Sequence, residues 1–482
     1  MKFIMLSAMF LSLVSKQRAA SFALLPQRTF SRKQQRSKIA SSSSSTAEEL
    51  SPAEKRRRAR QKRHIGLAKA VDRGQHAATY RPGGPKGRDF EAKSGLPDRT
   101  KLFTVLGIES SCDDTGAAVI RSDGTILGEA LASQSELHEE WGGVVPGLAR
   151  DAHAAEIDRV VQQALDRAGM QSAAEVDAVG VTVGPGLEIC LRVGATKARE
   201  LAIQHEKPFV GVHHLEAHIL MARLPLGGED EQVVQVAATD DTHASTRTVA
   251  FPFLALLVSG GHCQLMKCQG IGDYTILGGT LDDSLGEAFD KTARLLGLPV
   301  GGGGGPAVEQ LALEGDPTAV KLSVPLQSRK DFDFSYSGLK TNVRRASEKL
   351  MKERGVDSVD QLPHQDKANI AASFQNVAIR HLEQRLKYAM TLMEEEGICS
   401  LALVGGVAAN KEIRRRMEAL CESRREPWKM FVPPPRLCTD QGSMSAWAAV
   451  ERLMEGSSDE PENQEVFARY PFAVVEHDSA ES

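Results

Sequence analysis

Residues 212–221 read V-H-H-L-E-A-H-I-L-M and follow the apolar run 208–211, so they predict a strand that leads directly into a helix. His214 and His218 are four residues apart, which places both imidazoles on one helix face, where they can share a divalent metal ion. Glu216 lies about 200° round the helix from His214 and points elsewhere, unlike the glutamate of the metallopeptidase motif H-E-x-x-H. Two ordinary core or surface histidines can show the same spacing, so the spacing alone does not establish a metal site.

Short apolar strands alternate with helices on both sides of this stretch, which predicts an α/β fold. A strand–polar turn–strand unit at 102–120 is repeated at 253–267, where Gly260 and Gly261 form the turn. Two such units predict two related lobes that face a central ligand cleft. The sequence predicts strands at 102–109, 116–120, 176–183, 209–212, 253–259, 264–267, 401–404 and 430–432, and helices at 148–168, 191–204, 284–296, 365–396 and 444–454.

Charge divides the chain of 482 residues into unlike parts. Residues 1–100 carry 22 Lys and Arg against 7 Asp and Glu, whereas the remaining residues carry 37 and 56. Because the folded part is acidic, contact with a nucleic acid would need a local basic patch or another subunit. The predicted division is an organellar presequence (1–47), a basic disordered linker (48–100), an N-terminal lobe with the metal-binding helix (101–225), a polar insert loop (226–250), a C-terminal lobe that completes the nucleotide and metal site (251–455), and a ragged acidic tail (456–482).

The N-terminus predicts delivery to an organelle. Residues 1–47 contain no Asp or Glu and are rich in Ser, Lys and Arg, which favours a mitochondrial transit peptide. The apolar stretch 3–14, followed by A-S-F at 20–22, favours a two-part plastid presequence as the alternative. That stretch is too short to span a bilayer. Seven cysteines without a C-x-x-C pair indicate a reducing compartment.

Polar or glycine-rich turns follow several predicted strands, at the strand ends where α/β proteins bind ligands. The turn S-S-C-D-D-T-G at 110–116 can offer backbone N–H groups to a phosphate, or it can be a plain hairpin turn. The five glycines 301–305 allow a flexible linker or a close approach of the backbone to a ligand. His214, His218 and Asp440 come from distant parts of the chain and form a candidate divalent site with positions left open for substrate.

Eight segments resemble, in the family's order, the motifs of the tRNA N6-adenosine threonylcarbamoyltransferases, which are also known as O-sialoglycoprotein endopeptidases. The segments are G-I-E-S-S-C-D-D-T, G-G-V-V-P, V-H-H-L-E-A-H, L-L-V-S-G-G-H, G-E-A-F-D-K-T-A, F-S-Y-S-G-L-K-T, V-G-G-V-A-A-N and C-T-D-Q-G-S-M. The resemblance runs from about residue 101 to residue 454, which is essentially the whole folded part. The segment P-G-L-A-R-D-A-H and the presequence resemble the organellar branch more than the cytosolic one.

The resemblance implies the two-lobed fold of actin, Hsp70 and the sugar kinases (the ASKHA fold). It implies transfer of the threonylcarbamoyl group from L-threonylcarbamoyl-AMP to the N6 amine of the adenosine 3′ to the anticodon (position 37). The substrates would be tRNAs that read ANN codons, and the product would be t6A. It also implies a homodimer without membrane attachment, and it leaves open a need for partner proteins of the modification pathway.

By the same resemblance, His214, His218 and Asp440 bind one divalent metal ion per subunit, Fe or Zn. Asp113 and Asp114 match the family's acidic pair. The residues implied in substrate binding are Leu257, Val258, Ser259, Gly260, Gly261, Asp290, Gly305, Glu309 and Asn410. Because the donor is already activated, no protein nucleophile is needed, and we expect Asp113 or Asp114 to accept the amine proton.

Three features depart from the family's pattern. Gln441 stands where the family has Asn. The glycine run 301–305 is longer than usual, so the choice of Gly305 depends on aligning G-G-P. The insert 226–250 follows the metal-binding helix directly. A metalloendopeptidase is an alternative function, although Glu216 lies on the wrong helix face for it. An ATP-binding kinase or chaperone of the ASKHA type is another, although it leaves the two histidines unexplained. The retained His–His–Asp set argues against a non-catalytic scaffold.

Overall fold

The structure is a computed structural model that describes residues 95–470, apart from 140, 142, 226–247 and 301–302, together with residue 472. The predicted presequence, most of the predicted linker and insert, and the end of the acidic tail lie outside the described residues. In the part of the chain that the structure describes, no helix combines the length and the apolar character that a membrane span requires.

The first sheet is built from the N-terminal half of the described chain. Its strands are β1 Thr104–Glu109, β2 Asp114–Arg121, β3 Ile126–Ser133, β4 Ala178–Gly184 and β5 Phe209–His213. They lie in the order β3-β2-β1-β4-β5. The first three strands form antiparallel pairs, and β4 and β5 then join in parallel, so the sheet is mixed.

The second sheet repeats this arrangement. Its strands are β6 Phe253–Val258, β7 Cys263–Gly270, β8 Asp273–Gly279, β9 Ser400–Val404 and β10 Lys429–Phe431. They lie in the order β8-β7-β6-β9-β10, with β6, β7 and β8 antiparallel and β9 and β10 parallel to β6. Each sheet therefore has the order 3-2-1-4-5 with the same strand directions. The predicted α/β fold of two related lobes is confirmed.

Helices pack on both sheets. They are α1 Ser135–Glu139, α2 Pro146–Arg167, α3 Glu188–Gln204, α4 His214–Leu220, α5 Leu285–Leu295, α6 Gly305–Ala312, α7 Ser337–Arg354, α8 His364–Met393, α9 Lys411–Glu422 and α10 Gly442–Met454. Helices α2, α3, α5, α8 and α10 agree with their predicted bounds to within about three residues. Helix α7 and the third strand of each sheet, β3 and β8, were not predicted.

Alternate side chains of β6 face two different hydrophobic clusters, as the two-residue period of a strand requires. Leu256 and Val258 are fully buried against helices of the second lobe. Ala255 and Leu257 belong to a cluster that also contains Ile108 of β1 in the first lobe. The two lobes therefore share one of their hydrophobic clusters, which holds the first sheet against the second.

The final helix α10 packs on the first sheet, although the sequence range 251–455 predicts it as part of the C-terminal lobe. Glycines in the strands allow the close approach. A side chain at Gly107 of β1 would collide with the backbone of Ala446, and one at Gly180 of β4 would collide with Ala449. The range 251–455, predicted as the C-terminal lobe, thus includes a helix that packs on the first lobe. The packing of α10 is decided by matched small residues rather than by chain order.

The segment after Gly456 is ordered as far as residue 470, in contrast to the predicted ragged tail. The backbone N–H of Asp459 donates to the Phe209 carbonyl at 2.7 Å, and that of Phe467 donates to the Val183 carbonyl at 2.8 Å. Tyr470 is only 6% exposed and packs on the first lobe. A few aromatic residues therefore anchor a segment whose overall composition is polar and acidic.

Candidate metal and substrate site

His213 forms the junction between β5 and α4. Its Nδ1 accepts a hydrogen bond from the Leu215 backbone N–H at 3.1 Å and so caps the helix, while its Nε2 lies 3.1 Å from the Tyr470 carbonyl oxygen. Burial lowers the pKa of His213 to about 3, so the imidazole is neutral and can accept at one nitrogen and donate from the other. The start of α4 is therefore set by a buried histidine next to the predicted metal ligands.

The three predicted metal ligands meet at one point. Nε2 of His218 lies 3.0 Å from Oδ1 of Asp440, and Nε2 of His214 lies 3.8 Å from the same oxygen. The two imidazole rings are arranged edge to face with their centroids 4.8 Å apart. One ligand atom from each of the three residues lies within 4.8 Å of the others. Two imidazole nitrogens and a carboxylate oxygen at this spacing fit a divalent ion that keeps positions open for substrate.

Two further groups contact the other ring nitrogen of His214. The Ser111 hydroxyl oxygen lies 3.3 Å from Nδ1, and Oε2 of Glu109 lies 3.6 Å from it. Glu109 is fully buried at the end of β1 and accepts a hydrogen bond from the Ser111 backbone N–H at 2.6 Å. A carboxylate in this place favours a proton on Nδ1, which leaves Nε2 as the ligand nitrogen.

The site attracts positive charge. Burial would lower the pKa of His214, but Asp440 and Glu109 raise it to about 9. Burial would raise the pKa of Asp440, but His214 and His218 hold it well below its usual range. The two carboxylates therefore favour a cation at this point, either as a proton on His214 or as a metal ion.

Glu216 points away from the histidine pair, as its helical position predicts. Its Oε1 accepts hydrogen bonds from the Tyr274 hydroxyl at 2.9 Å and from the Gly272 backbone N–H at 3.0 Å. Both donors belong to the β7–β8 hairpin of the second lobe. Glu216 therefore ties α4 to the second lobe, and its carboxylate is not placed to serve a metal-bound water.

Asp113 lies in the turn between β1 and β2, and Asp114 is the first residue of β2. Burial raises the pKa of Asp114 to about 6; a hydrogen bond from Ser133 opposes the shift, and the charges of Asp113 and Asp440 add to it. Oδ1 of Asp114 is buried and has no hydrogen-bond partner among the described residues. A carboxylate with a raised pKa and an unoccupied oxygen is suited to accept a proton near neutral pH.

The glycine turn at the end of β6 offers its backbone to a ligand. Gly260 and Gly261 are exposed, and a Cβ atom built on either would meet nothing within 4 Å. Ser259 holds the turn, because its hydroxyl accepts a hydrogen bond from the His262 backbone N–H at 3.0 Å. The side chains of Leu257 and Val258 are fully buried, so these two predicted residues can offer a ligand only their backbone atoms.

Asp290 and the glycine run are joined directly. Oδ1 of Asp290 accepts a hydrogen bond from the Gly304 backbone N–H at 2.6 Å, which fixes the end of the run. Burial raises the pKa of Asp290, while this hydrogen bond opposes the shift. Gly305 begins α6, and a Cβ atom there would meet nothing within 4 Å. Asp290 thus shapes the loop from which Gly305 faces open space.

Glu309 and Asn410 lie together at the start of α9. Oε1 of Glu309 accepts a hydrogen bond from the Lys411 backbone N–H at 2.7 Å. Oδ1 of Asn410 caps α9 by accepting from the Ile413 N–H at 2.9 Å, and its Nδ2 donates to Gln375 at 3.1 Å. Both side chains therefore hold the helix start, in addition to any contact with substrate.

The sequence prediction did not include three residues of the site: Glu109, Ser111 and His262. Glu109 is a charged residue at the end of an apolar strand, which is the signal that could have identified it. Burial lowers the pKa of His262 to about 4, and the nearby His214 lowers it further.

Gln441, which replaces the family's Asn, donates from Nε2 to the Arg436 carbonyl at 2.9 Å and so supports the turn before α10.

The sequence matches a family model and several curated proteins. The TsaD model, tRNA N6-adenosine threonylcarbamoyltransferase, matches residues 125–239 and 231–447. A probable mitochondrial tRNA N6-adenosine threonylcarbamoyltransferase of Arabidopsis thaliana is 47% identical over 369 residues, which is 76% of this chain and 72% of the relative. The Brucella ovis enzyme of the same name is 44% identical over 363 residues, which is 74% of this chain and 91% of the relative.

Solved structures with a similar arrangement have little sequence identity to this chain. Full-length HypF in its phosphate- and nucleotide-bound form aligns with 78% of this chain and 60% of its own, with a TM-score of 0.43 and 14% identity. The activator of 2-hydroxyisocaproyl-CoA dehydratase from Clostridium difficile with bound ADPNP aligns with 73% of this chain and 96% of its own, with a TM-score of 0.39 and 12% identity.

Proposed function

The chain belongs to the tRNA N6-adenosine threonylcarbamoyltransferase family and is a transferase that modifies tRNA to form t6A, and we propose that its donor is L-threonylcarbamoyl-AMP. The proposed acceptor is the N6 amine of adenosine 37 in tRNAs that read ANN codons. The observation that carries this proposal is the convergence of His214, His218 and Asp440 in a chain that also presents an open glycine turn at Gly260 and Gly261.

In the proposed reaction, the N6 nitrogen forms a bond to the carbamoyl carbon of the donor. The bond from that carbon to the phosphate oxygen breaks, and AMP leaves with the electron pair. The amine loses one proton, and Asp114 is the proposed acceptor, because burial raises its pKa to about 6 and its buried Oδ1 has no hydrogen-bond partner among the described residues. The Ser259 backbone N–H donates to the His262 carbonyl at 2.8 Å, so the N–H groups of Gly260 and Gly261 are the ones proposed to stabilise negative charge that develops on the donor.

The candidate metal ligands fit one Fe or Zn ion. His214 and His218 would offer Nε2, Asp440 would offer Oδ1, and Glu109 with Ser111 would hold His214 in the correct tautomer. Such an ion would act as a Lewis acid and as a template for the donor. The chain's own contribution is to hold the three ligands on two elements of the first lobe, next to the acidic turn.

The assay for this function combines the purified protein, threonylcarbamoyl-AMP and unmodified tRNA, and detects the nucleoside products by mass spectrometry. We expect t6A at position 37 with the parent and a large loss with His214→Ala. If no modified adenosine forms, and His214→Ala behaves like the parent, the proposal is wrong. Cleavage of a peptide or turnover of ATP in its place would support the metalloendopeptidase or the kinase-like alternative.

We also propose that the protein acts in mitochondria as a homodimer. The acid-free presequence and the mitochondrial name of the Arabidopsis relative support the compartment. A fusion of residues 1–100 to a fluorescent protein should enter mitochondria, and entry into plastids would contradict the assignment. Light scattering on the purified protein should give twice the mass of 52.1 kDa that the full chain has, or proportionally less after removal of the presequence.

A further inference from the structure

Helix α7 (Ser337–Arg354) is basic in a part of the chain that is otherwise acidic. From residue 101 onward the chain has 37 Lys and Arg against 56 Asp and Glu. The basic residues of α7 are Lys340, Arg344, Arg345, Lys349, Lys352 and Arg354, whereas its acidic residues are Glu348 and Glu353. This helix therefore carries a local excess of positive charge.

Three of these side chains form a ridge on the solvent side of α7. Arg345, Lys349 and Lys352 (the basic ridge) are all exposed, while Val343 and Ser347 are buried. At 100° per residue, the basic ridge spans about 60° and lies about 180° from the centre of the buried pair. The ridge thus points directly away from the protein core.

The charge of the basic ridge is largely available to a partner. Arg345 and Lys352 form no ion pair with any residue that the structure describes. Lys349 lies 3.6 Å from Glu353, and both side chains are more than half exposed, at 77% and 54%. Such an exposed pair contributes little and is easily exchanged.

The start of α7 lies close to the glycine turn. Asp282 accepts hydrogen bonds from the hydroxyls of Ser337 at 2.7 Å and Ser335 at 2.6 Å. Two residues further on, the Ser284 hydroxyl donates to the Gly260 carbonyl at 2.5 Å. The helix then extends about 27 Å from this point, at 1.5 Å per residue. The basic ridge therefore begins about 12 Å along the helix from Ser337.

We propose that the basic ridge docks the phosphate backbone of the tRNA substrate, an inference that rests on the proposed function. Long flexible cations on a helix whose own sequence contains no aromatic residue suit phosphate oxygens rather than base edges. Gly338 and Thr341 lie on the same face of α7 as the basic ridge, and both are too small to obstruct a nucleic-acid backbone. The ridge therefore positions the anticodon stem without reading its sequence. A ridge without large apolar side chains does not suit insertion into a lipid surface.

The test is tRNA binding by the full-length protein in which Arg345→Gln, Lys349→Gln and Lys352→Gln are combined. Binding of unmodified tRNA is followed by fluorescence anisotropy between 50 and 200 mM KCl, without donor. Each lost phosphate contact lowers the salt slope by about 0.7–0.9, so the parent should lose roughly 20- to 40-fold more affinity over this range than the triple variant. In turnover, KM for tRNA should rise while kcat stays unchanged.

The matched control replaces Lys387, Arg425 and Lys429 by Gln, because these residues are exposed and the change in net charge is the same. Retained binding by the control supports the proposal. Equal losses in both triple variants would mean that overall charge, rather than the ridge, attracts tRNA, and would overturn it.

A third variant neutralises residues 55–58 of the N-terminal basic run. Loss of binding in this variant, together with parent-like binding by the ridge variant, would also overturn the proposal. Because binding is measured without donor, a failure of the ridge is distinct from a failure of the proposed chemistry, in which the parent forms no t6A. Unchanged thermal unfolding of the ridge variant shows that the helix itself is intact.

Discussion

Replacement of the buried carboxylate of Glu109 tests the geometry of the candidate metal site. Glu109 accepts the Ser111 backbone N–H at 2.6 Å, and its other oxygen lies 3.6 Å from Nδ1 of His214. Glu109→Gln keeps the size of the side chain and one hydrogen-bond acceptor, but it removes the charge that favours a proton on Nδ1. Glu109→Ala removes both the charge and the acceptor.

The size of the effect follows from what each variant leaves behind. Outer carboxylates of metal-binding histidines are typically worth 10- to 100-fold in metal affinity, or about 1.4–2.7 kcal/mol. We expect about 10-fold weaker Zn²⁺ binding for Glu109→Gln, because the charge is lost and the one remaining oxygen can accept from either Nδ1–H or the Ser111 N–H, which the two carboxylate oxygens serve separately. For Glu109→Ala we expect about 100-fold, and a further loss of about 1–3 kcal/mol in folding stability because the Ser111 N–H stays buried and unpaired.

Zn²⁺ affinity is measured by competition with a chromophoric chelator, and stability by urea unfolding of the metal-free protein. Glu216→Gln is the matched control, since Glu216 is also fully buried but bonds to Tyr274, away from the histidine pair. That variant should lose stability and keep its metal affinity. If Glu109→Gln and Glu216→Gln both bind Zn²⁺ like the parent, Glu109 does not orient His214 and the reasoning is refuted.

Three further predictions concern other parts of the molecule. Gly107→Ala should lower the free energy of unfolding by about 1–3 kcal/mol, and with it the unfolding temperature, because the new Cβ collides with the backbone of Ala446. Gly147→Ala should change the unfolding temperature little, because a Cβ atom at that position meets nothing within 4 Å. Turnover should rise with pH through about 6 as Asp114 loses its proton, and Asp114→Asn should lower kcat by about 10²–10⁴-fold and abolish that rise. Burial lowers the pKa of His381 in the folded protein to about 3, below its value in the unfolded chain. The neutral histidine therefore contributes fully to the free energy of unfolding above about pH 6.5. Below that pH, stability falls by about 1.4 kcal/mol per pH unit. Urea unfolding at pH 7 and pH 5 should show this loss in the parent and a smaller one in His381→Gln.

Local patterns predict the parts of the fold that they encode and fail where the pattern is weak. The strand–turn–strand units stand out because an apolar run ends in a polar or glycine-rich turn. Strand β3 was missed because I-L-G-E-A-L-A-S alternates poorly and is half exposed. Helix α7 was missed because its fully buried positions are only Leu339, Val343 and Ser347, and one of these is a serine. An edge strand and a helix with a narrow apolar face give little periodicity to detect.

The candidate metal ligands show the same limit. Helical spacing alone places His214 beside His218, but nothing local brings Asp440 to them. Asp440 arrives because α10 returns to the first sheet, where Gly107 and Gly180 face the small residues of the helix. This match between two surfaces has no period, so the sequence alone assigned the helix to the other lobe.

That return has a consequence for how the site can work. All three candidate ligands are held by the first lobe, on α4 and at the start of α10. Asp290, Glu309 and Asn410 lie instead on helices or helix caps of the second lobe. A change in the angle between the lobes would therefore move the proposed nucleotide-binding residues relative to the ion without altering the ligand set. The hydrogen bonds of Glu216, which join α4 to the β7–β8 hairpin, would resist such a movement.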